Sequence, residues 1–199
     1  MVAIAPFRAL RYNLQTVGDL SAVIAPPYDV IGPDEQEQLY ARSPHNVVRL
    51  ILGKEFPTDS DQDHRYTRAK QTMAQWQTDR VLVRDETPAV YVCEHQFRWD
   101  GRSQSRLGFM AVLPFTDSVS RDVLRHEATF DKPKADRTRL TDAVRAQLSP
   151  IFCVYEDPSG RAHHLVERVC RQQAPQTQAK FPSRLHIPIA DPSPRPQAS

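Results

Sequence analysis

The chain has 199 residues, 40% hydrophobic and 25% charged, which is ordinary globular usage with enough apolar residues to bury a real core. Its 26 basic and 24 acidic residues leave a formal charge of +2, too small for the basic face of a nucleic-acid-binding domain. There is no run of about 18 apolar residues to cross a membrane, and Met1 to Pro6 lacks the basic lead of a signal peptide, so a cytoplasmic protein is expected.

Ile4 to Leu10 reads as an extended edge segment, and Val23 to Ala25 lead into Pro26-Pro27. Pro33 opens a helix to about Arg42, because proline suits the first turn and Asp34 and Glu35 suit the helix dipole. Val47 to Leu52 is short and β-branched, a predicted strand ended by Gly53. Between Asp61 and Asp79, Tyr66, Ala69, Met73 and Trp76 recur at helical spacing and predict one core-facing stripe. Ala89 to Phe97 and Leu107 to Phe115 are predicted strands, joined as an antiparallel hairpin through the turn signal Asp100-Gly101-Arg102.

Asp136 to Gln147 carries Leu140 and Val144 at helical spacing, and Ser149-Pro150 stops it. Ile151 to Tyr155 reads as another strand, Asp157 to Gly160 as a turn, and His163 to Arg171 as a last helix. The interleaving predicts an α/β chain of mixed α+β type: a mixed sheet with an antiparallel hairpin, packed by several amphipathic helices. Six prolines between Ala174 and Ser199 predict a disordered tail over 173–199, after a single globular domain over 1–172. Cys93, Cys153 and Cys170 are scattered and read as small buried hydrophobes, not as zinc ligands.

Three segments carry residues suited to chemistry. Pro26-Pro27-Tyr28-Asp29-Val30-Ile31 is stiffened by two consecutive prolines. It serves either as a preorganised wall presenting Tyr28 and Asp29 or as a stiff turn in which Asp29 caps the next segment of the chain. Asn46 stands where a turn enters the predicted strand, and Arg49 interrupts that apolar run, facing solvent, pairing with a carboxylate or holding a phosphate. The third segment, from His126 to Arg137, gathers His126, Glu127, Thr129, Lys132, Lys134, Asp136 and Arg137 within twelve residues.

Phe130 stands where a zinc helix of the His-Glu-x-x-His type needs its second histidine, which excludes that metalloprotease site. His126 can transfer a proton near neutral pH with Glu127 beside it, while Lys132, Lys134 and Arg137 can donate to a phosphate or carboxylate. The alternative is a charged loop leading into an amphipathic helix. His163-His164 point to different sides of a helix and read as surface residues.

Four motifs in order carry a resemblance: Pro26 to Ile31; Asn46 to Gly53; His126-Glu127-x-Thr129 with Lys134-x-Asp136-Arg137; and Ser149-Pro150-Ile151-Phe152. Over roughly residues 1–160 the chain resembles the N-terminal half of domain-of-unknown-function family 1015, a bacterial and archaeal group. The family has no settled activity. Its members resemble enzymes of small-molecule metabolism and are often encoded beside serine-biosynthesis genes. Longer members carry an Asp-Gly-His-His-Arg-Tyr motif in a second half, similar to the Asp-Gly-x-x-Arg loop in the kinase branch of the ParB-like fold. This sequence lacks that motif; its sole His-His, His163-His164, follows Arg161-Ala162, and the chain looks truncated relative to the family.

The resemblance and the residues together lead to one expectation. It is a kinase-like, phosphoryl-transfer-type enzyme domain that binds a small phosphorylated metabolite or a nucleotide with magnesium, linked to serine metabolism and incomplete alone. His126, Glu127 and Asp29 would be catalytic, with Asp29 or Glu127 as base or magnesium ligand. Tyr28, Asn46, Arg49, Thr129, Lys132, Lys134 and Arg137 would hold the ligand. The expected partners are that ligand and either a separate C-terminal-half polypeptide or further copies of the chain, with no nucleic acid and no membrane. The rivals are a non-catalytic interaction domain, in which the same charges dock a partner subunit, and a nonfunctional fragment.

Overall fold

The computed structural model of the protein describes residues 3–114, 123–124 and 131–180, with Lys132 by its backbone alone. One extended segment ties distant parts of the chain together. Strand β1 (Leu10–Tyr12) pairs antiparallel with β2 (Leu82–Arg84), Leu10 facing Arg84 and Tyr12 facing Leu82. Just before β1, Phe7 bridges to Ala89 and Ala5 to Val112 through backbone hydrogen bonds of 2.9–3.0 Å. Asp85, at the end of β2, accepts from Arg11 Nε at 2.9 Å and from the Tyr91 hydroxyl at 2.5 Å, pinning the segment from its flank. The Arg11 and Tyr91 bonds hold the Asp85 carboxyl below its ordinary pKa.

The hairpin lies where the sequence puts it. Strands β3 (Tyr91–Trp99) and β4 (Arg102–Met110) pair from Tyr91↔Met110 to Trp99↔Arg102, and the turn between them uses Asp100 and Gly101, both at positive φ. The fold is of mixed α+β type, as expected, and among the described residues its strands form two small sheets rather than one mixed sheet. Both are two-stranded and antiparallel, β1–β2 and β3–β4, and the bridges at Ala5 and Phe7 join them.

Among the described residues seven helices surround these strands. Helices α1 (Leu14–Val17) and α2 (Leu20–Val23) are single turns capped by the side chains of Asn13 and Asp19. Helix α3 covers Pro33–Arg42 as its opening proline and acidic first turn dictate. Helix α5 (Arg65–Thr78) starts at a reciprocal cap, in which His64 Nδ1 accepts from Thr67 N–H and the Thr67 hydroxyl accepts from His64 N–H.

Helix α6 runs over Asp131–Val144, five residues earlier at its start than the sequence suggests, with Asp131 in the first turn. Helix α7 (Arg161–Gln172) ends the described secondary structure. His163 and His164 are both exposed on it. Residues 173–180, which by composition belong to a disordered tail, cross back over the opening elements: Gln176 accepts from Arg11, and Lys180 N–H donates to Ser21 Oγ at 2.9 Å.

The core forms where α5 meets the β1–β2 ladder and α6. Leu50, Met73, Trp76, Val81 and Leu82 cluster under Leu10, Tyr12 and Val17. Ala69, Leu140 and Val144 form a second cluster, and Ala146 and Leu148 touch both. Burying such side chains is worth about 1.5–3 kcal/mol apiece, so α5 and α6 are held face to face chiefly by these contacts. The Tyr12 hydroxyl donates to His45 O at 2.8 Å within this core, and burial raises its pKa well above the ordinary value.

Three expectations are corrected. Val47 to Leu52 is not a strand: Val48–Ile51 form helix α4, because Asn46 Oδ1 accepts from Val48 N–H at 3.0 Å and Val48, Leu50 and Ile51 are all buried in a helical turn. Tertiary burial outweighs β-propensity over so short a run. Ile151 to Tyr155 joins no ladder among the described residues and lies exposed. The cysteines are not uniformly buried either; Cys93 and Cys170 are half-buried and Cys153 is exposed. Burial, with Cys170 nearby, raises the Cys93 thiol pKa.

Candidate functional site

Asp136 and Arg137 precede the buried Leu140 of α6 by about one turn, so both side chains reach back towards the packed face. They meet the first turn of α5 and the end of α4. Arg137 donates through Nε to Asp136 Oδ2 at 2.7 Å, through Nη2 to the same oxygen, and through Nη1 to Ile51 O at 3.0 Å. The carboxyl's other oxygen accepts from the Tyr66 hydroxyl at 2.6 Å and from Arg65 Nη2. Arg65 in turn reaches Glu55 Oε1 at 3.1 Å and lies 4.8 Å from the centre of the Tyr66 ring. One carboxylate therefore sits between two guanidinium groups and a phenol.

The electrostatics follow from that crowding. Partial burial alone raises the Asp136 pKa, but the Tyr66 hydrogen bond and then the Arg137 and Arg65 guanidinium groups outweigh it and leave the carboxyl below its ordinary value. For Tyr66, burial and the hydrogen bond to Asp136 raise the phenol pKa.

Tyr28 closes the other side. Its ring lies under the Arg137 guanidinium, 3.7 Å from Cζ to ring centroid. The Tyr28–Val30 turn is 3-10, directly after the buried Pro26 and the exposed Pro27. That approach is fixed from behind by Asn46, fully buried, whose Nδ2 donates to Ala22 O at 2.9 Å and Ile24 O at 3.0 Å.

Outside this knot, Tyr28, Pro133, Lys134, Arg137, Thr138, Thr141 and Asp142 line an open cleft of about 430 Å³. The cleft offers a cation, a fixed guanidinium and the Thr141 hydroxyl, with one carboxylate, while the Thr138 hydroxyl donates to Lys134 O at 2.9 Å. Among the described residues, three of the five N–H donors of Arg137 are committed, which leaves two without a partner there. A planar fork held by a carboxylate, a carbonyl and an aromatic face is preorganised for phosphate or carboxylate. That donor set suits an anion rather than a magnesium ion, which takes carboxylates and waters. Among the described residues no group of three or more histidine, cysteine, aspartate and glutamate side chains converges on a metal position.

Of the residues expected from the sequence, the fold unites Tyr28, Lys134 and Arg137. Asp29 is exposed in the turn beside Tyr28 and does not line the cleft. Asn46 and Arg49 do not line it either. Asn46 is spent on backbone groups, and Arg49 donates to Tyr40 O at 2.9 Å with its guanidinium 4.3 Å from the Tyr40 ring centre. His126, Glu127 and Thr129 lie outside the described residues, as does the Lys132 side chain.

Sequence reasoning missed Arg65, Tyr66, Thr138, Thr141 and Asp142. By spacing, Tyr66 belongs to the apolar stripe of α5; its position beside a basic residue at the head of that helix was the available signal. By sequence, Gly53 marks only a strand end. A Cβ there would stand 3.3 Å from both Cβ and O of Arg65, so the glycine lets α4 and α5 approach closely enough for Arg65 to reach Asp136.

Among the described residues no helix is long and apolar enough to cross a membrane. No curated protein and no solved structure matches the chain. One family model does: DUF1015, described as a protein of unknown function, matches residues 4–187, which takes in both the cleft and the Arg65–Asp136–Arg137 knot behind it. With nearly its whole length matched, the chain belongs to the DUF1015 family.

Proposed function

We propose that the cleft between Tyr28 and α6 binds the phosphate of a small phosphorylated metabolite or nucleotide. In this reading the chain is part of a cytoplasmic, kinase-like phosphoryl-transfer enzyme connected with serine metabolism. The observation that carries the binding claim is the fixed Arg137 fork, with two donors unpartnered among the described residues, at the edge of a cleft that also holds Lys134 and the Thr141 hydroxyl. Lys134 is exposed at the rim and supplies a mobile second cation. His126 and Glu127 stand just before α6 in the chain and are the proposed proton-transfer pair, with Asp29 in the turn beside Tyr28 as the alternative base.

The experiment is a thermal-shift series on the full chain with serine, phosphoserine, ADP and ATP, each with and without magnesium. A phosphorylated compound at about 100 times its Kd adds about 2.7 kcal/mol and is expected to raise Tm by about 5–11 °C. Serine alone is expected to do nothing. Lys134→Ala should weaken the shift without changing the Tm of the free protein. If no phosphorylated compound moves Tm, the binding proposal is wrong.

A further inference from the structure

Behind the cleft, two guanidinium groups share one carboxylate. Asp136 Oδ2 accepts from Arg137, and Oδ1 accepts from Arg65 and from the Tyr66 hydroxyl. The Asp136 carboxyl lies below its ordinary pKa and is ionised at neutral pH, whereas the Tyr66 phenol lies above its own and stays neutral. The three charged side chains are largely withdrawn from water: Arg65 is 24% exposed, Asp136 15% and Arg137 22%. The cluster therefore keeps one positive charge that nothing within it neutralises.

The neighbouring carboxylates cancel little of that charge. Glu55 reaches Arg65 Nη1 at 3.1 Å but is 68% exposed, and water and salt screen such a pair strongly. Asp142 is exposed and lines the cleft five residues after Arg137, about 7.5 Å further along α6 and about 140° round it, so it serves the opposite end. Asp29, beside Tyr28, does not line the cleft. Lys134 stands one turn before Arg137 on α6 and brings a second positive charge to the same end. Among the described residues, that end of the cleft thus offers two positive charges with no carboxylate of its own.

Resting on the reading that the cleft binds phosphate, we infer that its ligand ends in a dianionic phosphate, a monoester rather than a diester or a carboxylate, and that Arg65 sets this preference by sharing the charge of Asp136. A carboxylate or a phosphodiester carries one negative charge and answers only one of the two cations. A phosphomonoester carries close to two at neutral pH, because its second proton leaves near pH 6. Arg65 touches no ligand; it acts through Asp136, which without it would neutralise Arg137 alone.

Calorimetric titration of the full chain with methyl phosphate, dimethyl phosphate and sulfate between about pH 5 and pH 7.5 tests the charge preference. The Kd of methyl phosphate should fall about ten-fold over that range as the dianion replaces the monoanion. Sulfate is a dianion throughout, so its Kd should stay level, and any titration of the protein's own groups would show there. Dimethyl phosphate, a monoanion of similar shape, should bind at least about ten-fold more weakly than methyl phosphate at the upper end.

Arg65→Gln should narrow the ratio between the two esters at least about three-fold, and Arg65→Lys, which keeps the charge, should preserve it. A merely structural Arg65 would weaken both esters alike and leave their ratio unchanged. If Arg65→Gln loses its far-UV circular dichroism spectrum, Lys134→Gln at the exposed rim removes the same unit of charge and should narrow the ratio in its place. Sulfate binding without a pH step for methyl phosphate, equal binding of the diester, or a ratio indifferent to the glutamine overturns the inference and leaves the anion site standing. If none of the three compounds binds, the anion reading falls and the inference with it.

Discussion

The guanidinium of Arg137 lies 3.7 Å from the centre of the Tyr28 ring while its Nη1 donates to the carbonyl of Ile51. Residues from three distant parts of the chain thereby fix one side chain in three directions: an aromatic face on one side, a carbonyl at one prong and the Asp136 carboxylate at the other. An arginine so held loses little further rotamer entropy when it binds an anion, which is the physical basis of preorganisation.

Removing the aromatic face tests this directly. Tyr28→Phe keeps the stack and should leave both stability and anion binding near wild type. Tyr28→Ala should lower stability by about 0.5–1 kcal/mol. It should also weaken binding of whichever phosphorylated compound gives the largest thermal shift. Calorimetric titration of the three proteins checks the order, and a Tyr28→Ala protein that binds as well as wild type would refute the role of the ring.

Asp136 should set the acid limit of the α5–α6 junction. Its carboxyl titrates near 3.8 when unfolded and lower when folded, so its contribution is complete above the unfolded value and is lost as the pH falls through the folded one. Asp136→Asn should therefore cost about 2 kcal/mol at neutral pH, where a charged, hydrogen-bonded partner of two guanidinium groups is removed. The gap between variant and wild type should narrow steadily in acid below the unfolded value. Urea unfolding at a series of pH values measures it.

Asn46 supports the site from a distance. Asn46→Ala would strip Ala22 O and Ile24 O of a donor and Val48 N–H of its acceptor, all in a fully buried position. The expected loss is about 3 kcal/mol, or roughly 6–12 °C in Tm. Asn46→Asp should be worse, because a carboxylate would face two carbonyl oxygens. Differential scanning calorimetry of both variants checks the order.

Gly53→Ala should be mildly destabilising for a steric reason alone, since the new methyl would press on Arg65 at 3.3 Å. A cost of about 1 kcal/mol is expected from the shift that relieves the contact. The same shift moves Arg65 relative to Asp136, so the variant should also lose some of the wild-type acid dependence of stability. Comparing its pH–stability curve with that of Asp136→Asn separates the two effects.

Much of the architecture is written locally. Helix α3 announces itself by Pro33 with Asp34 and Glu35, α5 by its stripe from Tyr66 to Trp76, and the hairpin by Asp100-Gly101. Helix α4 is not, because its four residues favour a strand until Asn46 Oδ1 accepts from Val48 N–H and three apolar side chains are buried together. At the site, Lys134 and Arg137 were legible as cations three residues apart, Arg137 at the head of a helix and Lys134 in the charged segment before it, and Tyr28 as the product of a stiff turn. Their meeting was not, since Tyr28 and Arg137 lie 109 residues apart in the chain and the contact depends on the packing that places α6. Arg49 misled for the opposite reason: the sequence shows a charge in an apolar run but not the Tyr40 carbonyl and ring waiting for it.

The bridges of residues 5–12 carry a consequence for synthesis. Their partners are Leu82–Arg84, Ala89 and Val112, so residues 5–12 find their places only after chain made 70 to about 107 residues later. Helices α3 and α5 can form as they leave the ribosome, but the segment before them stays unpaired until residues 82–89 have emerged, and Ala5 until residue 112 has. Contacts of such long sequence separation slow folding and keep an edge strand open meanwhile. Arg8 and Arg11, spaced along that waiting strand, place like charges on it and so discourage it from pairing with a neighbouring nascent chain.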